Sequence, residues 1–352
     1  MTAEAVPTQA LAWFKEIDLH AVPRVGGKGA SLGELRRAGI TIPDGFVLTT
    51  DAFRLFMAPL RQQLQLEPRI AALQGKDNTT LNSECAQIRA ALTRHQCPPE
   101  LQKAISTAWQ ELSENGKHAV AVRSSATSED GADASFAGLQ DTYLWVQSEA
   151  AMLEAVKLCW ASLYNAESVS YRLRLAVAEA QLAMAVVIQR MVNSYCSGVM
   201  FTRSPTTGDR SVITLEGSWG LGSAIVSGEV TPDKYVINKI TREITRRDIG
   251  CKLMAHVPAP NGGVLEQEVE ADRQQQPCLQ DAQILALAEI AKQVERHYGK
   301  PQDIEWALDQ DGNILLLQSR PETVWANKDT APVAKPAAKP FDHIFKVMGG
   351  KR

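Results

Sequence analysis

The 352-residue chain is 45% hydrophobic and 22% charged, with a net charge of −3 and a pI near 6.1. These are ordinary values for two globular domains or one large bilobed unit. The slightly acidic balance argues against bulk nucleic-acid binding, and no apolar run approaches the roughly 20 residues of a membrane span.

The first twenty residues lack the basic start and apolar block of a secretory signal. The six cysteines, at 85, 97, 159, 196, 251 and 278, form no CxxC pair. The expected setting is therefore a reducing cytoplasm, with neither structural zinc nor disulfides.

In chain order, residues 11–56 open with a strand-like segment and reach Gly26-Gly27-Lys28-Gly29 just before a helical pattern. Glycine allows close approach to a ligand and a helix start attracts anions, so Lys28 suits a phosphate; the run also suits a plain surface turn. Residues 40–51 read as a turn, a short strand and a helix cap at Thr50 or Asp51. Residues 52–116 read as helices, broken at 95–99. Ala119–Val122 is an apolar strand that delivers Arg123 at its end. A hydroxyl- and glycine-rich loop, 124–138, follows and returns as a strand at Thr142–Val146. An ordered loop of this length beside an arginine suits a polyphosphate lid. Residues 148–182 read as two helices with Trp160, Tyr164 and Tyr171 in the core.

Residues 183–203 give a strand, a polar break and another strand. The break at Gln189–Val192 suits either an ordinary core strand or a hinge whose backbone meets an adenine edge while Met191 packs on the ring. The close glycines of 217–228 suggest tight sheet turns near a ligand, and 240–280 carries no chemical pattern. Residues 281–298 form an amphipathic helix capped by Asp281, with His297 at its C-terminal end.

Residues 301–321 are the most informative stretch. Asp311-Gly312 marks a two-residue hairpin turn. With Gln310 facing Asn313, the register sets Glu305 opposite Gln318 and Asp303 opposite Arg320, all on one face. The other face then carries Ile304, Trp306, Leu308, Leu315 and Leu317. Carboxylate and amide oxygens suit Mg²⁺, and arginine suits phosphate. The same four residues also suit a cross-strand salt bridge on a solvated face. Residues 327–340 read as a Pro/Ala/Lys linker, and 341–352 as a docking segment or a frayed tail.

As an ordered set, GGKGASLGEL with PDGF, AVRSSATSEDGADASFAG, VVIQRMV with SGVMFTRSPTTGD, EGSWGLGSAIVSGEVTPD and DIEWAL with LLLQSRPET resemble one family. It is the phosphoenolpyruvate synthase / pyruvate phosphate dikinase family, and the match is to its amino-terminal ATP-grasp region. The resemblance implies an α+β, bilobed ATP-grasp-type fold that closes on Mg-ATP. Residues 1–182 would form one lobe, 183–325 the other, and 326–352 a linker and docking tail. Lys28, Arg123 and Arg320 would contact phosphates and act in catalysis. Ser124 to Gly138, with Thr142 at the return, would cover the phosphates. Gln189 and Met191 would flank adenine. Glu305 and Gln318 would hold Mg²⁺, with Asp303 nearby. The stretch between Glu305 and Gln318 is one residue longer than is usual in the family.

Family members transfer ATP's β-phosphoryl group to a histidine in a TSHxA segment. None of the six histidines here, at 20, 95, 118, 256, 297 and 343, sits in one. The resemblance thus implies a partner subunit that carries the phosphorylated histidine and the acceptor site. In chain architecture it points to the free ATP-binding subunits of phenylphosphate synthases, and to phenol as acceptor, with a split phosphoenolpyruvate synthase, a rifampicin-type phosphotransferase or a non-catalytic ATP-sensing subunit as alternatives.

Overall fold

Met184–Arg190 reads MAVVIQR, and its alternate side chains enter two different cores. Met184, Val186 and Ile188 pack in one, Ala185 and Val187 in the other. A strand buried on both faces needs this unbroken apolar run, because successive side chains point opposite ways. The computed structural model describes residues 10–127, 141–323 and 325. The strand is central in a five-stranded sheet built from β1 (Leu11–Trp13), β2 (Gly45–Leu48), β3 (Val120–Ala126), β4 (Thr142–Val146) and β5 (Met184–Arg190). Their order is β1-β2-β5-β3-β4, and every pairing is antiparallel.

The second sheet has six strands. They are β6 (Ser194–Phe201), β7 (Val212–Trp219), β8 (Asp233–Asn238), β9 (Ile244–Asp248), β12 (Gln302–Asp309) and β13 (Ile314–Pro321), in the order β13-β12-β6-β7-β8-β9. Between them in sequence, β10 (Met254–Pro258) and β11 (Val264–Glu268) form a separate hairpin. The chain passes from the first sheet to the second at residues 191–193. The expected division at 183 therefore falls one strand early, since β5 pairs with β2 and β3.

The helices are α1 (Val22–Arg37), α2 (Thr50–Leu64), α3 (Leu66–Ala71), α4 (Asn78–Arg94), α5 (Pro99–Ser113), α6 (Glu149–Ser162), α7 (Ala166–Arg174), α8 (Ser223–Val226) and α9 (Asp281–Tyr298). Phe53, Phe56, Ile88, Ile105, Trp109 and Trp160 from α2, α4, α5 and α6 cover one face of the first sheet. The other face shares its core with α1, α9 and the second sheet through Val25, Leu32, Leu287, Met200 and Trp306. Helix α1 lies against β3 and β5 on one side and β13 on the other. Ser31 Oγ donates to the Ser319 carbonyl at 2.6 Å.

The glycine run lies inside α1 rather than ahead of it. Gly26, at φ 69°, breaks the helix, which resumes with Gly27-Lys28-Gly29 in its first turn. A Cβ at Gly26 would collide with the Ser125 carbonyl, so this glycine serves close helix–strand packing. Gly198 and Gly217 are cross-strand partners on β6 and β7. They leave room for the Trp306 indole, so Gly217 sits mid-strand and not in a turn. Two caps shift by a residue. Thr49, not Thr50 or Asp51, accepts from the Asp51 N–H at 3.2 Å, and Gln280, not Asp281, precedes α9. Among the described residues no helix is long and apolar enough to cross a membrane.

Candidate functional site

The β12–β13 hairpin faces the first sheet across a cleft. Asp303 pairs with Arg320 and Glu305 with Gln318, as the sequence predicts. The turn differs. Asp309 pairs with Asn313 around a three-residue loop in which only Gly312 has positive φ, at 85°. Asp309 Oδ1 accepts from the backbone N–H of Asp311 and of Asn313, which favours this longer loop over a type I′ turn. A bulge at Leu317 then restores the expected register beyond it, because Trp306 pairs with Leu316 and Glu305 with Gln318. As a result Leu316, rather than Leu315 or Leu317, is buried beside Ile304, Trp306 and Leu308.

The bulge turns the Leu317 carbonyl into the cleft, where Arg123 Nη1 donates to it at 3.2 Å. Arg123 Nη2 donates to Glu305 Oε2 at 3.1 Å and to Gln318 Oε1 at 2.5 Å. One guanidinium nitrogen thus sits between the two side-chain oxygens that the sequence assigns to a cation. Arg123 is mid-strand, not at a strand end, because β3 continues its pairing with β5 to Ala126↔Met184. Its β5 partner is Val187, and Gln189 lies two residues along on the same face. That face looks onto the second sheet.

Gln189 is buried and its Nε2 has no hydrogen-bond partner among the described residues. Met191 is half-buried, and its N–H donates to the Ala119 carbonyl at 2.9 Å. Lys28 is half-buried in the restarted turn of α1. Its charge opposes the upward push that burial and Asp141 give the Cys159 thiol, so it lies near that thiol.

Ser124 takes the opposite face of β3 from Arg123 and donates from Oγ to the Asp141 carbonyl at 3.2 Å, so its hydroxyl faces away from the cleft. Thr142 is exposed opposite Arg123 in the β3–β4 register. Gly138 lies outside the described residues, as do most of the expected lid and the 326–352 tail.

Asp303 and Arg320 form a looser pair, 3.6 Å apart, with Arg320 62% exposed and Asp303 21%. Burial pushes the Asp303 carboxyl up from 3.8 to about 6, against the pull of Arg320 and with a further push from Glu322. Its Oδ1 is buried without a partner among the described residues. Because the folded-state value is raised, the stability Asp303 contributes is full below 3.8 and is lost as the pH rises through about 6. Asp303→Asn is therefore expected to exceed the wild type in stability by roughly 1–3 kcal/mol at neutral pH, with the gain shrinking in acid. Carboxyl NMR of the wild type should titrate near pH 6 at this residue. A midpoint in the ordinary aspartate range would refute the assignment.

A second concavity was not foreseen. A cavity of about 800 Å³ opens between β4 and α6 on one side and the β10–β11 hairpin on the other. Thr142, Trp145, Ser223, His256 and Glu266 are among its lining residues. No sequence pattern marked 240–280, since the cavity is made by segments that meet only in three dimensions.

The chain matches the family model described as the pyruvate phosphate dikinase AMP/ATP-binding domain over residues 22–339, and it belongs to that family. A probable phosphoenolpyruvate synthase from Staphylothermus marinus is 37% identical over 97% of this chain and 44% of that protein. A rifampicin phosphotransferase from a Streptomyces species is 42% identical over 88% of this chain and 35% of that protein. The chain thus spans less than half the length of these relatives. Among solved structures, D-alanyl-alanine synthetase A from Vibrio cholerae matches 68% of this chain and 54% of its own at 13% identity and a TM-score of 0.25. That likeness is too slight to carry the fold. The α+β, bilobed ATP-grasp-type architecture rests on the family and on the two sheets themselves.

Proposed function

We propose that the chain binds Mg-ATP between its two sheets and transfers the β-phosphoryl group to a histidine on a partner subunit, releasing AMP and phosphate. The observation that carries this reading is Arg123, which reaches across the cleft to Glu305, Gln318 and the bulged Leu317 carbonyl. The Glu305 and Gln318 oxygens already surround one positive nitrogen, so the donor set fits a small hard cation. Glu305 and Gln318 would hold Mg²⁺, with the raised Asp303 beside them. When bound, the ion neutralises and orients phosphate oxygens.

The rest of the chemistry falls to the chain itself. Arg123, released from the hairpin, follows the triphosphate with Lys28 and Arg320, and the three cations balance its charge. Gln189 has a buried donor with no partner among the described residues, and Met191 lies on the link between the sheets; together they suit the adenine. The acceptor imidazole attacks the β-phosphorus, the bond from that phosphorus to the oxygen bridging to AMP breaks, and the imidazole proton passes to solvent. The terminal phosphoryl then goes to water, which leaves phosphohistidine.

As final acceptor we propose phenol. The names of the relatives support a phosphoenolpyruvate-synthase-type or rifampicin-type acceptor equally.

The test uses ATP labelled separately at the β and γ positions, the full chain and a fractionated extract of its source. Acid-labile β-label on a second polypeptide, with AMP formed, is the expected result. Discharge of that label to phenol, pyruvate or rifampicin then names the acceptor. Label on this chain alone would overturn transfer in trans. ATP binding without AMP, in an extract containing the partner, would overturn the enzymatic reading.

A further inference from the structure

We propose a second metal site, independent of the nucleotide cleft, formed by Glu229, His256 and Glu266 and taking a divalent transition ion such as Zn²⁺, Co²⁺ or Mn²⁺. One ligand atom from each residue lies within 4.8 Å of the other two. His256 and Glu266 are direct partners in the β10–β11 register, so the hairpin itself aligns them on one face. Glu229 follows α8 and comes from a different segment. Its Oε2 lies 2.9 Å from His256 Nε2.

The imidazole is held as a ligating histidine is held. Ser223 Oγ sits 2.7 Å from Nδ1, and the His256 carbonyl accepts from the Leu221 N–H at 2.8 Å. A partner on one ring nitrogen fixes the ring and aims the other nitrogen, which is the usual support around a metal-bound histidine. Nε2 therefore meets the Glu229 carboxylate, the Glu266 carboxylate lies within the same 4.8 Å cluster, and a dication among them balances their charge. One imidazole and two carboxylates favour a first-row transition ion over Ca²⁺ or Mg²⁺, which take oxygen donors. His256 and Glu266 also line the 800 Å³ cavity, so the remaining coordination positions are open to water or to a small oxygen ligand.

The position has structural leverage. The tip of the hairpin meets the first lobe where the Gly263 N–H donates to the Trp145 carbonyl at 3.0 Å. An ion bound here ties the 220–229 segment to the hairpin that meets β4, and so braces the two lobes.

The test is titration of the metal-stripped full chain with Co²⁺, read by its visible ligand-field absorption, and equilibrium dialysis with Zn²⁺. One ion per chain is expected, with affinity reduced at least about tenfold in His256→Gln and in Glu266→Gln, and unchanged in Glu305→Gln. Zn²⁺ should raise the thermal midpoint of the wild type but not of Glu266→Gln. That substitution lies on an exposed strand and removes no core contact. Absence of a bound ion at millimolar Co²⁺ would overturn the site, as would affinity that survives both hairpin substitutions or that falls with Glu305→Gln.

Discussion

Glu305→Gln is expected to lower AMP formation by roughly 10²–10³-fold while leaving the fold intact, a loss typical of removing one charge-stabilising group from a preorganised site. Glutamine keeps the shape of the side chain and an oxygen that can accept from Arg123 Nη2, so the cross-cleft hydrogen bond survives. What disappears is the negative charge. The proposed cation site is then left with two neutral amide oxygens, one from the introduced glutamine and one from Gln318, and its affinity is expected to fall because Mg²⁺ is usually held through one or two carboxylates. Burst experiments with labelled ATP would read the chemical step, and a thermal midpoint matching the wild type would exclude misfolding. Near-wild-type AMP formation would remove Glu305 from the catalytic site. Arg123→Lys makes the complementary case: the charge remains, but the fork that spans Leu317, Glu305 and Gln318 is gone.

The second large effect is on stability. Lys252→Met is expected to destabilise the protein by about 3–5 kcal/mol, because removing one partner of a buried ion pair strands the other charge. Lys252 and Asp233 are both fully buried, with Nζ 2.6 Å from Oδ1. Asp233 also accepts from the N–H groups of Gly250 and Cys278, at 3.0 and 2.8 Å, and Lys252 donates to the Gly250 carbonyl. The pair thereby joins the start of β8, the 250–252 turn and the segment that leads into α9. Double replacement, Asp233→Asn with Lys252→Met, should recover part of the loss, since no bare charge is left inside. Urea midpoints of the two variants check this. A loss below about 1 kcal/mol for Lys252→Met would mean that the pair adds little beyond its packing.

The β12–β13 hairpin was legible in the sequence, though partly through compensation. A two-residue turn at Asp311-Gly312 gives the register that the structure has at Glu305–Gln318. The actual loop is one residue longer, and the Leu317 bulge cancels the difference before Glu305 and Gln318 are reached. Period-two alternation fixes which side chains share a face, but it cannot show where an extra residue is absorbed. Hence the core assignment failed at Leu315 and Leu317, next to the turn, and held at Ile304, Trp306 and Leu308. The apolar runs of β3 and β5 were equally readable. Arg123's place within β3 was not, because strand length there is set by β5, a neighbour far later in the chain. The Asp233–Lys252 pair and the His256 cluster left no trace in local pattern. Their members lie in separate segments of a region whose composition is merely polar.

Helix α1 has a consequence for the order in which the protein can be made. Its outward side is covered by β13, and Ser31 meets Ser319 across 288 positions of sequence. On a ribosome adding about 5–20 residues per second, that cover arrives on the order of tens of seconds after α1 emerges. Until then Leu32 and its neighbours face water, and the first sheet is itself incomplete until residues 184–190 are out. The strands of the first lobe are thus all made before those of the second, yet its core stays open until β13 is added. The β12–β13 hairpin, which carries Glu305 and Gln318, also covers α1, so a chain released before residue 321 would lack that cover on its helix.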